Sequence, residues 1–205
     1  MSVTVSVKNY DAPAVDRREI LRYAGVRGDA PELETLLTSC LGELLPRLSY
    51  RVCFAELPLR VEGDEVILGE ARVRSVSLAR QLRGCSRAVL FAATVGNEPD
   101  RLIARYQRIS PSRALLIQAI GSERAEAVCD RLEEEIKTEQ ERRGGGIRRR
   151  FSPGYGDLPL SFQQEVFRLL DCPKHVGISL NESLLMSPSK SVTAVIGVEE
   201  ITKRG

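Results

Sequence analysis

One run constrains the fold of this chain more than any other: Ala88-Val89-Leu90-Phe91-Ala92-Ala93, apolar without interruption. Successive side chains of a strand point to opposite faces, so a run with no alternation has no face to offer water. The sequence therefore predicts a strand over 87–95 that is buried on both faces and ended by the turn residues Thr94-Val95-Gly96.

The segments around it are half-apolar. Residues 3–7 alternate Val-Thr-Val-Ser-Val, a strand pattern. Residues 50–75 read as strand, turn, strand: Tyr50 to Phe54, then Leu57, Leu59 and Val61, the turn Glu62-Gly63-Asp64, and Val66-Ile67-Leu68. Helical spacing governs elsewhere. Asp16 precedes a short helical stretch containing Ile20, Leu21 and Tyr23, closed by Gly25 and Gly28. Pro31 opens a helix over 31–45 whose Leu33, Leu36, Leu37, Cys40, Leu41, Leu44 and Leu45 form one stripe, and Pro46 ends it. Brief helices are expected over 76–83 and 98–106. Ser110-Pro111 opens a long one that continues towards Glu141, apolar in its first half and charged in its second. Gly144-Gly145-Gly146, set between arginines, then reads as a flexible segment able to pivot the loop at Arg150 against the long helix. Strands and helices without regular βαβ alternation give the α+β class, with antiparallel strands packed under helices.

At 205 residues and 42% hydrophobic, the chain is able to bury its apolar surface as one domain, 1–205. Its 30 basic and 28 acidic side chains leave a net charge of +2, which gives no field arguing for nucleic acid or a membrane surface. No segment approaches the apolar length needed to cross a bilayer, and the N-terminus lacks a basic flank before an apolar run, so a cytoplasmic location is expected. Cys40, Cys53, Cys85, Cys129 and Cys172 are scattered, with no Cys-x-x-Cys pair, and His175 is the single histidine. No metal site is expected; the thiols read as small buried hydrophobes in a reducing cell. His175, within Cys172-Pro173-Lys174-His175, reads as a structural residue in a surface turn. No Ser-His-Asp set is evident, and no catalytic acid or base is assigned.

The densest chemistry lies in RFSPGYGDLPLSFQQEVFRLLDCPKHVGISLNESLLMSPSKSVT, residues 150–193. Pro153-Gly154-Tyr155-Gly156 is turn chemistry, able to bring backbone close to a ligand. Arg150 precedes Tyr155 by five residues, so a guanidinium able to hold a carboxylate bidentately and a phenol able to cover an apolar group flank one turn. Each residue also has an ordinary reading. Arg150 ends Arg148-Arg149-Arg150, and basic runs are usually solvated surface. Tyr155 fits a packed turn tyrosine, Met186 a core filler, and Glu182-Ser183 the end of a strand and start of a turn. Glu126, between Ala125 and Ala127 on the long helix, fits a solvent-facing helical glutamate.

Taken together, these residues resemble a known family. An arginine followed after three residues by Gly-Tyr, then a proline-bounded helix, then Glu-Ser, Met and Pro, resembles the activation domain of cobalamin-dependent methionine synthase; here the elements are Arg150, Gly154-Tyr155, Pro159, Glu182-Ser183, Met186 and Pro188. A second block, LIQAIGSERAEAVCDRL over 116–132, looks like the family's long helix with Ala-Glu-Ala at Ala125-Glu126-Ala127. The resemblance covers 87–198. Residues 1–86, including Arg22-Tyr23-Ala24-Gly25, are divergent and look more like free-standing relatives of that domain. It implies a single twisted antiparallel sheet with flanking helices and a site for S-adenosylmethionine. There Glu126 would face the ligand ammonium, Arg150 would hold its carboxylate, Tyr155 would lie against it, and Ser152 and Gly154 would add backbone contacts. Glu182, Ser183 and Met186 would face the corrin ring of a cobalamin carried by a partner protein. The chain departs from the pattern in three places. Ser152 stands where alanine is usual, Gly156-Asp157-Leu158-Pro159 replaces Pro-Ala-Cys-Pro, and Gly197 to Gly205 contains no aromatic residue.

What the resemblance implies in function is a free-standing activation subunit, one component of a reactivation system rather than a complete methyltransferase. An electron donor such as flavodoxin or ferredoxin reduces an inactive cob(II)alamin, and S-adenosylmethionine methylates the product, with the protein contributing proximity and orientation. The partner would be a corrinoid protein or a methionine synthase lacking its own activation domain. A second reading, favoured by the missing C-terminal aromatics, is a corrinoid-docking or scaffold module that no longer binds S-adenosylmethionine; Glu126, Arg150 and Tyr155 together favour the first. An independent small-molecule methyltransferase is disfavoured, because no glycine-rich loop follows a strand and opens a helix.

Overall fold

A computed structural model describes residues 3–26 and 31–199. Its centre is the pair β2 (Tyr50–Glu62) and β5 (Cys85–Thr94), antiparallel with Phe54 opposite Phe91. The other edge of β2 is long enough to seat two strands in succession: β1 (Ser6–Tyr10) pairs with residues 50–54, and β3 (Glu65–Leu68) pairs with 59–62. β4 (Ala71–Arg74) extends that side, and β8 (Ser191–Glu199) flanks β5, giving a six-stranded, wholly antiparallel sheet among the described residues.

The apolar run in β5 sits as its composition requires. Ala88, Leu90 and Ala92 enter a core shared with Leu158, Phe162, Val166 and Leu170, while Val89, Phe91 and Ala93 enter one on the opposite face with Val128, Cys129 and Leu132. The first face is covered by α3 (Val76–Gln81), α6 (Gln163–Leu170) and α7 (Cys172–Val176). The second is covered by the C-terminal half of α5 (Pro111–Arg142). The N-terminal half of α5 leaves the sheet and packs with α1 (Arg17–Tyr23), α2 (Pro31–Leu44) and α4 (Glu98–Tyr106) around Ile20, Leu37, Leu44, Ile117 and Ile120. This division explains why α5 turns from apolar to charged: its first half is enclosed by helices, its second lies on the sheet with one face to solvent.

One buried polar group ties the N-terminal segment to this scaffold. Arg124 of α5 is fully enclosed, pairs with Glu123, and donates to the carbonyls of Pro13 and Ala14 at 2.6 and 2.7 Å. Glu123 in turn accepts the backbone N–H of Asp16 at 3.1 Å. Asp16 caps α1, its side chain accepting from the N–H groups of Arg18 and Glu19.

The structure differs from the sequence expectation in several places. The first strand is Ser6–Tyr10 rather than 3–7, because its ladder is fixed by β2; Val3 and Val5 pack against the core ahead of it and Val7 faces out. His175 lies in α7, a short helix closed by Gly177 at φ +70°, rather than in a surface turn. The expected closure of α1 by Gly25 is present, whereas Gly28 lies outside the described residues. Finally, the segment after the glycine triplet is not a free pivot. Arg148 N–H donates to Gly197 O at 2.8 Å, Glu199 N–H donates to Gly146 O at 3.0 Å, and Phe151 and Val195 exchange both backbone bonds at 2.9 Å. It is laid along the free edge of β8 as an irregular outer strand.

Candidate functional site

That edge pairing places Arg150 over the solvent face of α5. Glu126, Asp130 and Glu133 fall four and three residues apart, so one side of the helix presents three carboxylates in a row. The Arg150 guanidinium reaches all of them: Nη2 lies 2.8 Å from Glu126 Oε2, and Nη1 lies 2.7 Å from Asp130 Oδ1 and also bonds Glu133 Oε2. Arg150 and Glu133 are mostly sheltered, with side chains 22% and 17% exposed, whereas Asp130 is 67% exposed. Burial works to lower the Arg150 pKa, but the bond to Glu126 and the neighbouring Asp130 outweigh it and hold the pKa above its ordinary value. The guanidinium is a permanent cation here.

Two groups frame this ion cluster. Cys129, enclosed beneath it, has its thiol pKa pushed up first by burial and then by the Glu126 charge, so it stays a neutral apolar wall. Tyr23, at the end of α1, which packs on α5, has a phenol whose pKa is raised by burial and then by the Glu126 charge. An open groove of about 760 Å³ runs next to the cluster, lined by Asp130, Glu133, Lys137, Ile147, Arg149 and Arg150.

The loop that follows is built by its turn residues. Gly154 sits at φ +87° and donates to Leu158 O at 2.9 Å, while Tyr155 N–H donates to Ser152 O at 3.1 Å. A Cβ on Gly154 would stand 3.2 Å from the Leu160 side chain, so the position calls for glycine in both backbone angle and space. The Tyr155 ring meets Phe151 edge-on, with centroids 5.6 Å apart, and is 70% exposed. Asp157 fastens the loop to the start of α3: its carboxylate accepts from Ser75 Oγ at 2.6 Å, Val76 N–H at 2.7 Å and Ser77 N–H at 3.0 Å. These bonds, the Ser75 hydroxyl foremost, hold its pKa well below the usual carboxylate range.

The structure thus brings Glu126 and Arg150 into direct contact and sets Ser152, Gly154 and Tyr155 in the loop leading away from them. Arg149 faces solvent, and Arg148 pairs with Glu199 at 3.1 Å. Glu182 and Ser183 are exposed at the tip of a separate hairpin, β6 (Ser179–Leu180) and β7 (Met186–Ser187), whose turn is closed by Asn181. Met186 is half-buried against the core on the α6 and α7 face.

Residues 80–203 match the family model described as vitamin B12 dependent methionine synthase, activation domain. The chain belongs to that family. Among solved structures it is similar to one described as the MetH reactivation domain bound to AdoHcy, with a TM-score of 0.68 and 18% identity, covering 100% of this chain and 81% of that one. That likeness carries the fold of an activation domain: an antiparallel sheet with flanking helices. No curated protein matches the chain.

Asp130, Glu133 and Asp157 were not legible as site residues. The first two were visible only as part of a charged helix half, although their spacing from Glu126 is the signal that selects them. In the sequence Asp157 is only a departure from the family pattern, because its partner Ser75 lies far away along the chain.

Among the described residues no group of His, Cys, Asp and Glu could hold a metal ion, and no helix is long and apolar enough to cross a membrane.

Proposed function

We propose that this chain is an activation subunit, working in the cytoplasm, that binds S-adenosylmethionine and presents its methyl group to cobalamin carried by a partner protein. The observation that carries the reading is the pairing of Arg150 with Glu126, a guanidinium and a carboxylate side by side on the scaffold of an activation domain. The amino-acid end of S-adenosylmethionine has the matching pattern, a carboxylate for Arg150 and an ammonium for Glu126. Tyr155, exposed on the adjoining loop, supplies an aromatic surface, and Ser152 and Gly154 supply backbone groups. The solved relative bound to AdoHcy, the demethylated form of that ligand, supports the same assignment.

When bound, the ligand would supply a sulfonium methyl group to cobalamin reduced by one electron from a donor such as flavodoxin or ferredoxin, the reduced metal giving the pair for the new bond and the carbon–sulfur pair staying on sulfur. This chain's residues orient rather than donate or remove protons. Glu182, Ser183 and Met186 form the surface offered to the corrin, and the partner is a corrinoid protein or a methionine synthase without its own activation domain. A corrinoid-docking module without ligand binding is the second reading, favoured by the segment Gly197 to Gly205 holding no aromatic side chain.

The test is methyl transfer. Methyl-labelled S-adenosylmethionine, a chemical reductant and the cobalamin-binding fragment of a methionine synthase are incubated with and without this chain. Label reaching cobalamin only in its presence supports the activation subunit. Complex formation without transfer supports the docking module.

A further inference from the structure

Arg150 has five N–H donors, and the three carboxylates of α5 use them unevenly: Nη1 serves Asp130 and Glu133, while Nη2 serves Glu126 alone. Nε makes no bond to any of the three, and it lies on the same side of the guanidinium as Nη2, the Nε–Nη2 edge being the side-on geometry that receives a carboxylate bidentately. Glu126 is engaged through Oε2, which leaves Oε1 for an ammonium. An arginine side chain on an irregular edge segment would otherwise sample many rotamers. Here its far nitrogen is fixed to a long helix at two points, one of them sheltered.

We propose that Glu133, assisted by the more exposed Asp130, is a positioning residue: it grips Nη1 so that the free fork of Arg150 faces the ligand carboxylate while Glu126 remains available to the ligand ammonium. This rests on the reading of the site given above. Glu133 touches no ligand; it acts through Arg150, as the supporting shell of a preorganised site does.

The experiment has two arms. The first needs no ligand. In wild-type protein labelled with 15N-arginine, the Arg150 guanidinium protons give separate, slowly exchanging signals, assigned by their loss in Arg150→Ala. In Glu133→Ala these collapse to an averaged, fast-exchanging signal, and in Glu133→Gln, which keeps an acceptor, they are largely retained. Unchanged Arg150 signals in Glu133→Ala overturn the proposal. The second arm measures affinity for S-adenosylmethionine and for methylthioadenosine, which lacks the amino-acid end. Glu133→Ala weakens the former about tenfold and leaves the latter within about twofold, with Glu133→Gln restoring most of the loss. Equal losses for both ligands, or tighter binding of S-adenosylmethionine to Glu133→Ala, also overturn it. If wild-type protein binds neither ligand, the functional reading fails, and the first arm still decides whether Glu133 holds Arg150.

Discussion

Replacing Arg124 by leucine tests how the N-terminal segment is held to the sheet. The change keeps apolar bulk on α5 but removes a guanidinium that is fully enclosed and bonded to Glu123, Pro13 O and Ala14 O. Glu123, 4% exposed, then keeps a charge with no cation beside it, and the two carbonyls lose their donors. Breaking a buried pair from one side costs about 3–5 kcal/mol, because the remaining charge has neither water nor partner. For a chain of this size that corresponds to a fall of about 6–20 °C in Tm. The discriminating variant is the double one, Arg124→Leu with Glu123→Gln, which removes the orphaned charge and keeps an acceptor for Asp16 N–H. Urea and thermal denaturation of the wild type, both single variants and the double variant give the coupling energy directly. The double variant should recover at least half of the loss. Arg124→Leu falling within about 1 kcal/mol of wild type, or a double variant no more stable than the single, would refute the argument that an unpaired buried charge is the cost.

Other outcomes follow from single sites. Asp157→Asn should flatten the acid limb: the wild-type carboxylate keeps its pKa below the unfolded value, so its contribution is present above about pH 4 and lost as pH falls below that, a loss the asparagine variant lacks in Tm measured against pH. Gly197→Ala would place a Cβ 2.8 Å from both Cys85 Sγ and Leu82 Cδ2, and should cost about 1–3 kcal/mol in chemical denaturation through overpacking. Thiol titration of the native protein at pH 8 should register Cys85 alone, since Cys40, Cys53, Cys129 and Cys172 are buried; unfolding should expose all of them.

The elements written into local pattern are readable in the sequence. β5 follows from its uninterrupted apolar run, and the stripe of α2 from helical spacing opened by Pro31 in the first turn. What local pattern does not carry is who pairs with whom. The stretch from Gly144 to Arg150 has the composition of a flexible connector, yet Gly146 and Arg148 bond through their backbone to Glu199 and Gly197, some fifty residues further on, and the next residue, Phe151, to Val195. Without that edge pairing there is no reason for Arg150 to meet α5, so Asp130 and Glu133 read only as solvated charge. Family resemblance, not spacing, singles out Glu126 and Arg150 one by one; that they touch each other is visible only in the structure. Tyr155, expected against the ligand, stands exposed on the loop after Arg150 with its ring edge-on to Phe151.

Calorimetric titration of S-adenosylmethionine into the wild-type protein, Arg150→Ala and Glu126→Ala tests the central claim most directly. The account predicts saturable binding to the wild type and a loss of at least about tenfold in each variant, the scale of one charge-assisted hydrogen bond. No heat and no thermal shift at millimolar ligand, or binding that neither substitution alters, would contradict it.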